Sequence, residues 1–264
     1  MNRPNVNRLT SALPLRLSAG WNRLFSVVAL LVLWQAAAGI VGDPAMLPSP
    51  MATFRAGYAA LRSGELLFHV GITLARVAVA FALAMLIGTA IGIALGRSPV
   101  LDQMFGGWLV LGLNLPALVT IVLCYIWFGL TEAAAILAVT INKVPTVAAI
   151  LREGAKALDP ALLEMTRVFA VKRARVLTRV ILPQLGPSLM AAARAGLALT
   201  WKIVLVVELL GRPNGVGFEI RTFFNFFDIA SILAYSLTFI GAVIAIEIVL
   251  LQPLDRRLGK WRRA

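Results

Sequence analysis

Six apolar segments, near residues 24–42, 73–96, 106–129, 131–150, 187–210 and 229–251, dominate this sequence. A helix rises 1.5 Å per residue, so about 20 apolar residues cross the ~30 Å hydrocarbon core of a bilayer. Each segment has that length or comes close to it. Charged residues make up only 14% of the chain and hydrophobic ones 60%, a balance outside that of water-soluble domains. The expected fold class is an all-α polytopic membrane protein with about six transmembrane helices.

Charge orients these helices. With the N-terminus inside, Arg3, Arg8, Arg16 and Arg23, Arg97, the basic residues from Arg152 to Arg179 and those from Arg256 to Arg263 all fall on the cytoplasmic side. Only Arg55, Arg62, Arg212 and Arg221 fall on the other, while Arg76, Lys143, Arg194 and Lys202 lie within or at the ends of spans. This is the positive-inside pattern, and it places both termini in the cytoplasm. The basic residues before 24 resemble the start of a signal peptide, but the long n-region, the near-spanning apolar run and the later spans favour an uncleaved first helix. The chain divides into a basic segment 1–23 and a transmembrane domain 24–264, with a cytoplasmic connection at 151–186. Pro99, Gly106, Gly107, Gly112, Pro116 and Gly129 interrupt the third segment, so its boundaries within 97–131 are the least defined.

A formal charge of +13 does not call for nucleic acid, because cytoplasmic retention of Lys and Arg beside spans accounts for it. Cys124 has no partner for a disulfide or a thiolate site, and the lone His69 cannot build a metal site. No GxxxxGK[ST] stretch is present, so any ATP used must be hydrolysed by another subunit. A membrane-embedded enzyme would need a nucleophile, base or metal constellation that one Cys and one His do not supply. A secondary transporter, the other alternative, would show matching repeats and discontinuous helices in two halves, and no such correspondence is visible.

Ala84, Gly88, Gly92 and Gly96 recur at intervals of four and form a flat ridge where another helix can approach, either for internal packing or beside a transport pathway. Asn114 and Asn142 read as interhelical hydrogen-bonding groups. Residues 211–228 carry Gly215 and Gly217 at a turn, followed by five phenylalanines, and read as an interfacial helix or a docking surface on the outer side.

The stretch 162–185, LLEMTRVFAVKRARVLTRVILPQL, stands out as basic in an apolar chain. Asp159 followed by Pro160 is a helix start, with the carboxylate as cap and proline in the first turn. Leu158 and Leu163 have the spacing of a hydrophobic staple. A short helix is expected over 160–169, with Leu162, Met165 and Phe169 on one apolar face and Glu164 and Arg167 elsewhere on its surface. A second helix then carries Val176, Leu177, Val180 and Ile181 on one side and Lys172, Arg173, Arg175 and Arg179 on the wetter one, separated from the fifth span by Pro183 and Pro187. By amphipathicity alone this helix pair reads as a membrane-surface element held by anionic lipid or as a docking element for a cytoplasmic partner.

Glu164, the turn position Ala170, Val180 and Leu182-Pro183 keep the spacing EAA-x3-G-x9-I-x-LP, and this resembles the loop that marks permease subunits of ABC importers. Met165 and Thr166 stand for the two alanines, Ala170 for the glycine and Val180 for the isoleucine. LPSP at 47–50, SGELLFHVGITLARV at 63–77, ELLGRPNGVGFEI at 208–220 and the terminal DRRLGKWRR are similar to the nitrate/sulfonate/taurine branch of that family. The resemblance implies a type I ABC-importer permease fold with cytoplasmic coupling helices, in the bacterial inner membrane. It implies two cytoplasmic ABC ATPase subunits carrying the ATP and Mg, a periplasmic substrate-binding protein, and a permease homodimer, with no cofactor on this chain. Glu164, Met165, Thr166, Arg167 and Ala170 would form the ATPase-coupling site. An alanine at 170, where the family has glycine, either avoids the left-handed region or strains the turn.

Ionisable groups within spans are costly and usually face protein, a water-filled cavity or a partner. Arg194, Lys202 and Glu208 are therefore candidate pathway residues, with Glu247 a further ionisable group near the end of the sixth segment. A positive lining suits a small anionic solute, while the delivering protein is expected to carry most of the selectivity.

Overall fold

The computed structural model describes residues 19–251 and 253, and every regular element among them is helical. Most of the basic segment 1–23, and the basic run from Arg256 to Arg263, lie outside the described residues.

The chain opens with α1 (Ala19–Val41), followed by α2 (Pro50–Ser63) and α3 (Glu65–Arg97). Ser49 starts α2: its Oγ accepts from the Ala52 amide, and Pro50 occupies the first turn, where no N–H is needed. Gly64, at φ +85°, turns α2 directly into α3, a left-handed conformation that glycine adopts without a Cβ penalty. With 33 residues, α3 is about 50 Å long. It starts well before the expected residue 73 and outruns the hydrocarbon core.

The third apolar segment differs from the single span expected over 106–129. It forms α4 (Pro99–Asn114) and α5 (Ala117–Phe128), whose axes meet at 96°. Pro116 supplies no N–H and forces the preceding Leu115 into extended backbone (φ −68°, ψ 121°), which stops α4. Next comes α6 (Glu132–Lys156), capped by Thr131. The following connection holds α7 (Pro160–Val168), α8 (Arg173–Val176), a π-helical turn at Leu177–Ile181 and α9 (Leu182–Gln184). Then α10 (Gly186–Gly211), α11 (Val216–Asn225) and α12 (Ile229–Ile246) complete the described fold, with a second π-helical turn at Glu247–Leu251. Among the described residues, five helices are long and apolar enough to cross a membrane, and the bent pair α4–α5 would make a sixth.

At the centre α3 and α6 run side by side in the same direction. The ridge of small residues makes this possible: a methyl group on Gly88, Gly92 or Gly96 would come within 2.6 Å of the Cβ of Val147, Leu151 or Ala155 respectively. In lipid, such backbone-close packing takes the place of a hydrophobic drive. The ridge therefore serves internal packing. α10 runs antiparallel across both, with Leu185 and Ser188 against Gly154 and Phe81 against Gly196. Asn142 reaches across to the Leu115 carbonyl at 3.5 Å, whereas Asn114 bonds within its own helix, to Val110 at 2.8 Å, and not between helices as expected.

Arg97, Arg152, Lys156 and the α7–α9 connection lie at one end of the bundle, the basic end, and the α10–α11 turn lies at the other. Val147, Leu151, Leu158, Ile181 and Leu185 form the core near the basic end. Near the opposite end Leu66, Val70, Val216, Tyr235 and Phe239 join α3, α11 and α12. α1 meets the rest chiefly through α2, with Trp34 Nε1 donating to the Pro48 carbonyl at 3.0 Å.

Candidate functional site

At the basic end, Asp159 Oδ1 accepts from the Ala161 amide at 2.8 Å and Pro160 opens α7, as the Asp-Pro pair requires. Leu158 is buried, and Leu163 packs against the same cluster, so one side of α7 is fastened to the bundle. The opposite side is open. Glu164, Met165 and Arg167 are exposed, and so are Leu162, Val168 (81%) and Phe169 (72%). Thr166 is half-buried, its Oγ1 donating to the Leu163 carbonyl at 2.7 Å. Thus Leu163 seats the helix, and the face of Leu162, Met165 and Phe169 points away from the bundle.

Ala170 takes φ +46°. The amide of Val171 donates to the Thr166 carbonyl, and that of Ala170 to the Arg167 carbonyl, each at 3.0 Å. This is the Schellman arrangement with Ala170 in its left-handed position. The turn of a glycine is kept by an alanine, at a cost of about 1–2 kcal/mol from Cβ crowding.

From Arg173 the chain is nearly helical through to Gly211. Pro183 and Pro187 bracket the break the sequence suggests: α9 ends at Gln184, Leu185 is a single turn residue, and Pro187 lies in the first turn of α10. A proline inside a helix removes one backbone donor and crowds the carbonyl four residues earlier, here that of Arg179. The π-helical turn at Leu177–Ile181 widens the helix across that residue. Arg97, Arg167 and Arg173 line a cleft of about 600 Å³ between the end of α3 and the connection. Beside it, Asp102 of α4 pairs with Arg152 and, at 2.9 Å, with Lys156, tying α4 to the end of α6.

Arg194 and Lys202 both border a pocket of about 260 Å³ between α10 and α12, together with Leu197, Trp201 and Glu247. Both cations are exposed in this chain, and the Lys202 ammonium lies 5.5 Å from the centre of the Trp201 ring. Lys143, on α6, is 5% exposed and has no ion-pair partner among the described residues.

Glu208 lies apart from that pocket, fully enclosed near the opposite end. Arg76 Nη1 donates to its Oε1 at 2.7 Å and to the Asn214 carbonyl at 2.8 Å. Thr73 Oγ1 and the Gly217 amide donate to its Oε2, both at 2.9 Å. Arg76 also pairs with Glu132 of α6, which in turn binds Arg212 at 2.7 Å. The turn after α10 is wrapped around the Glu208 carboxylate so closely that a Cβ at Gly215 would collide with it. His69 completes the seam, accepting from the Gly215 amide at 3.0 Å and pairing with Glu219 at 3.1 Å. Burial pushes the Glu219 carboxyl above its ordinary value, against the pull of His69. The signal for this network was an arginine inside an apolar run, which needs a carboxylate somewhere in the fold. Phe218 and Phe223 pack toward His69 and Tyr235, while Phe224, Phe226 and Phe227 are exposed.

The family described as "Binding-protein-dependent transport system inner membrane component" matches residues 84–259. The taurine transport system permease protein TauC of Escherichia coli (strain K12) is 30% identical over 243 residues, covering 89% of this chain and 86% of its own. A Bacillus subtilis (strain 168) protein bearing the name aliphatic sulfonates transport permease protein SsuC is 28% identical over 253 residues, 95% of this chain and 91% of its own. Among solved structures, an inward-facing form of the MetNI methionine ABC transporter aligns with 76% of this chain and 96% of that one, at a TM-score of 0.57 and 18% identity. At that identity the likeness speaks for the fold.

Proposed function

This chain belongs to the family of binding-protein-dependent transport system inner membrane components, and from that premise we propose how its parts divide the work of an ABC-importer permease. The connection 157–185 is the coupling element. Glu164, Met165, Thr166, Arg167 and the turn at Ala170 meet a groove on a cytoplasmic ATPase subunit, which holds the ATP and Mg. Both chain termini share that side of the membrane. The observation that carries this reading is the two-sided α7: Leu163 fastens it to the bundle, while Glu164, Arg167, Val168 and Phe169 remain uncovered. A surface helix with so exposed an apolar rim favours a partner that covers it. The alternatives, a secondary transporter or a membrane enzyme, give no role to a rigid, capped helix with an open docking face.

A periplasmic binding protein delivers a small anionic solute, of the sulfonate, taurine or nitrate kind, to the opposite face. Arg194 and Lys202 on α10 supply the attraction for an anion. Among the three candidate pathway residues, the enclosed Glu208 is held in a structural clamp, so the pathway reading rests on Arg194 and Lys202. One coupling connection engages one ATPase subunit, and two copies of this chain about a twofold axis engage the pair.

The test is Glu164→Lys. An interfacial charge left unpaired costs about 2–5 kcal/mol, so the variant should reach the membrane at normal levels, lose uptake and fail to retain the ATPase on purification. The native mass of the wild-type complex should show two copies of the chain with two ATPase subunits. Full uptake by Glu164→Lys would remove the coupling assignment.

A further inference from the structure

The turn between α10 and α11 is fastened by its own backbone. Three successive amides each donate to a side chain: Gly215 to His69 Nδ1 at 3.0 Å, Val216 to Thr73 Oγ1 at 2.8 Å and Gly217 to Glu208 Oε2 at 2.9 Å. Thr73 and Glu208 are wholly enclosed, whereas the His69 side chain is 12% exposed. Of the three acceptors, His69 is the one within reach of protons from the medium.

A ring nitrogen that accepts from an amide carries no proton. Nδ1 is therefore bare, and the single proton of the ring sits on Nε2, which faces Glu219 Oε1 at 3.1 Å. Phe68 meets the ring edge-on and Phe218 stacks on it, with centres 5.1 and 6.2 Å away. A second proton can enter only at Nδ1, and it would set one N–H against the N–H of Gly215. That amide has little freedom to turn aside, because Gly215 is at φ +109° and the next two amides are tied to Thr73 and Glu208.

The ionisable groups around the ring are Glu65 one turn earlier on α3, Glu219 and Arg221 on α11, and Tyr235 on α12, while Arg76 and Glu208 are bound in their own clamp. Glu219 is the group that favours an imidazolium. Burial, with help from Glu65 and against the pull of His69, holds its carboxyl above its ordinary value, so it gives up its charge sooner than a free carboxylate as the medium turns acid. We propose that His69 is a proton-sensitive latch on the α10–α11 turn: the neutral ring holds the Gly215 amide, and the imidazolium releases it. A bond open only to the neutral ring is present at the alkaline end and lost toward the acid end, from about pH 8 to about pH 5, where an imidazole ordinarily changes charge. This rests on neither the coupling nor the solute assignment.

The test is hydrogen exchange on the full chain in detergent at pH 8 and pH 5, corrected for the intrinsic pH dependence of amide exchange. Protection over residues 213–218 should fall about fivefold toward acid in the wild type, the effect of one hydrogen bond, while residues 145–155 of α6 keep theirs. His69→Gln offers a carbonyl oxygen to Gly215 and an N–H to Glu219 at either pH, so its protection should stay level. Glu219→Gln removes the carboxylate but leaves the ring, and should keep the fall. Level protection in the wild type, an equal fall in folded His69→Gln or in α6, or a fall that vanishes in Glu219→Gln would overturn the proposal. Should His69→Gln not fold, the wild type and Glu219→Gln carry the test.

Discussion

Arg76 and Glu208, 132 positions apart in sequence, meet at 2.7 Å with the carboxylate wholly enclosed. One guanidinium thereby joins α3, α6, α10 and the turn leading to α11.

Removing one side of such a pair leaves a buried charge uncompensated, at a cost of about 3–5 kcal/mol. Arg76→Met should therefore lower the thermal unfolding midpoint in detergent strongly. Glu208→Gln should lower it less, because Arg76 keeps Glu132 and the amide can still accept from Thr73 or Gly217. The double variant should recover part of the loss of Arg76→Met. Strictly additive midpoint shifts would show that the two residues are not coupled.

Ala170 gives a prediction of the opposite sign. Glycine at φ +46° has no Cβ to crowd the following carbonyl, so Ala170→Gly should stabilise the turn by about 1 kcal/mol, less the entropy of a freer unfolded chain. Ala170→Val should destabilise it and weaken ATPase retention. Unfolding midpoints and co-purified ATPase measure both, and a lower midpoint in Ala170→Gly would contradict the left-handed turn.

The small-residue ridge is testable by contrast within one helix. A Cβ on Gly92 would lie 2.6 Å from that of Leu151 and 2.7 Å from the Ala148 carbonyl oxygen, whereas one on Gly71 meets nothing within 4 Å. Gly92→Leu should prevent stable assembly, since overpacking costs about 1–3 kcal/mol or more. Gly71→Leu should be tolerated. Expression level and monodispersity in detergent distinguish the two.

Selectivity is expected to sit mainly in the delivering protein. Exchanging that protein should change which anion is imported more than Lys202→Met does, while Lys202→Met slows uptake of every solute alike. A change of solute preference in Lys202→Met, with normal stimulation of ATP hydrolysis by the loaded binding protein, would place selectivity in the pathway.

Features encoded within a few residues of each other were legible from sequence. The capped start of α7 follows from Asp159-Pro160, its seating from Leu158 and Leu163, and the approach of a helix to α3 from the four-residue spacing of Gly88, Gly92 and Gly96. The break at Leu115–Pro116 was signalled, although not as a right-angle bend, because a proline marks where a helix stops and not where the chain goes next. The partner of Arg76 was not legible. Pairing it with Glu208 requires knowing which helices are neighbours, how each is rotated, and that the GRPNGVG turn folds back over the carboxylate. The widened turn at Leu177–Ile181 was not legible either: a proline marks the carbonyl it crowds, not whether the helix widens there.

Where the glycines of α3 meet α6, one side of the contact is bare backbone, with no α3 side chain to change rotamer as the two helices slide. Mechanically they form one beam, pinned by Arg76 and Glu132 at one end and by the glycine ridge toward the other. The 96° elbow at Leu115–Pro116 is braced against the same beam, since Asn142 reaches the Leu115 carbonyl and Asp102 pairs with Arg152 and Lys156, so whatever moves in this half of the bundle moves with α3 and α6 as one member.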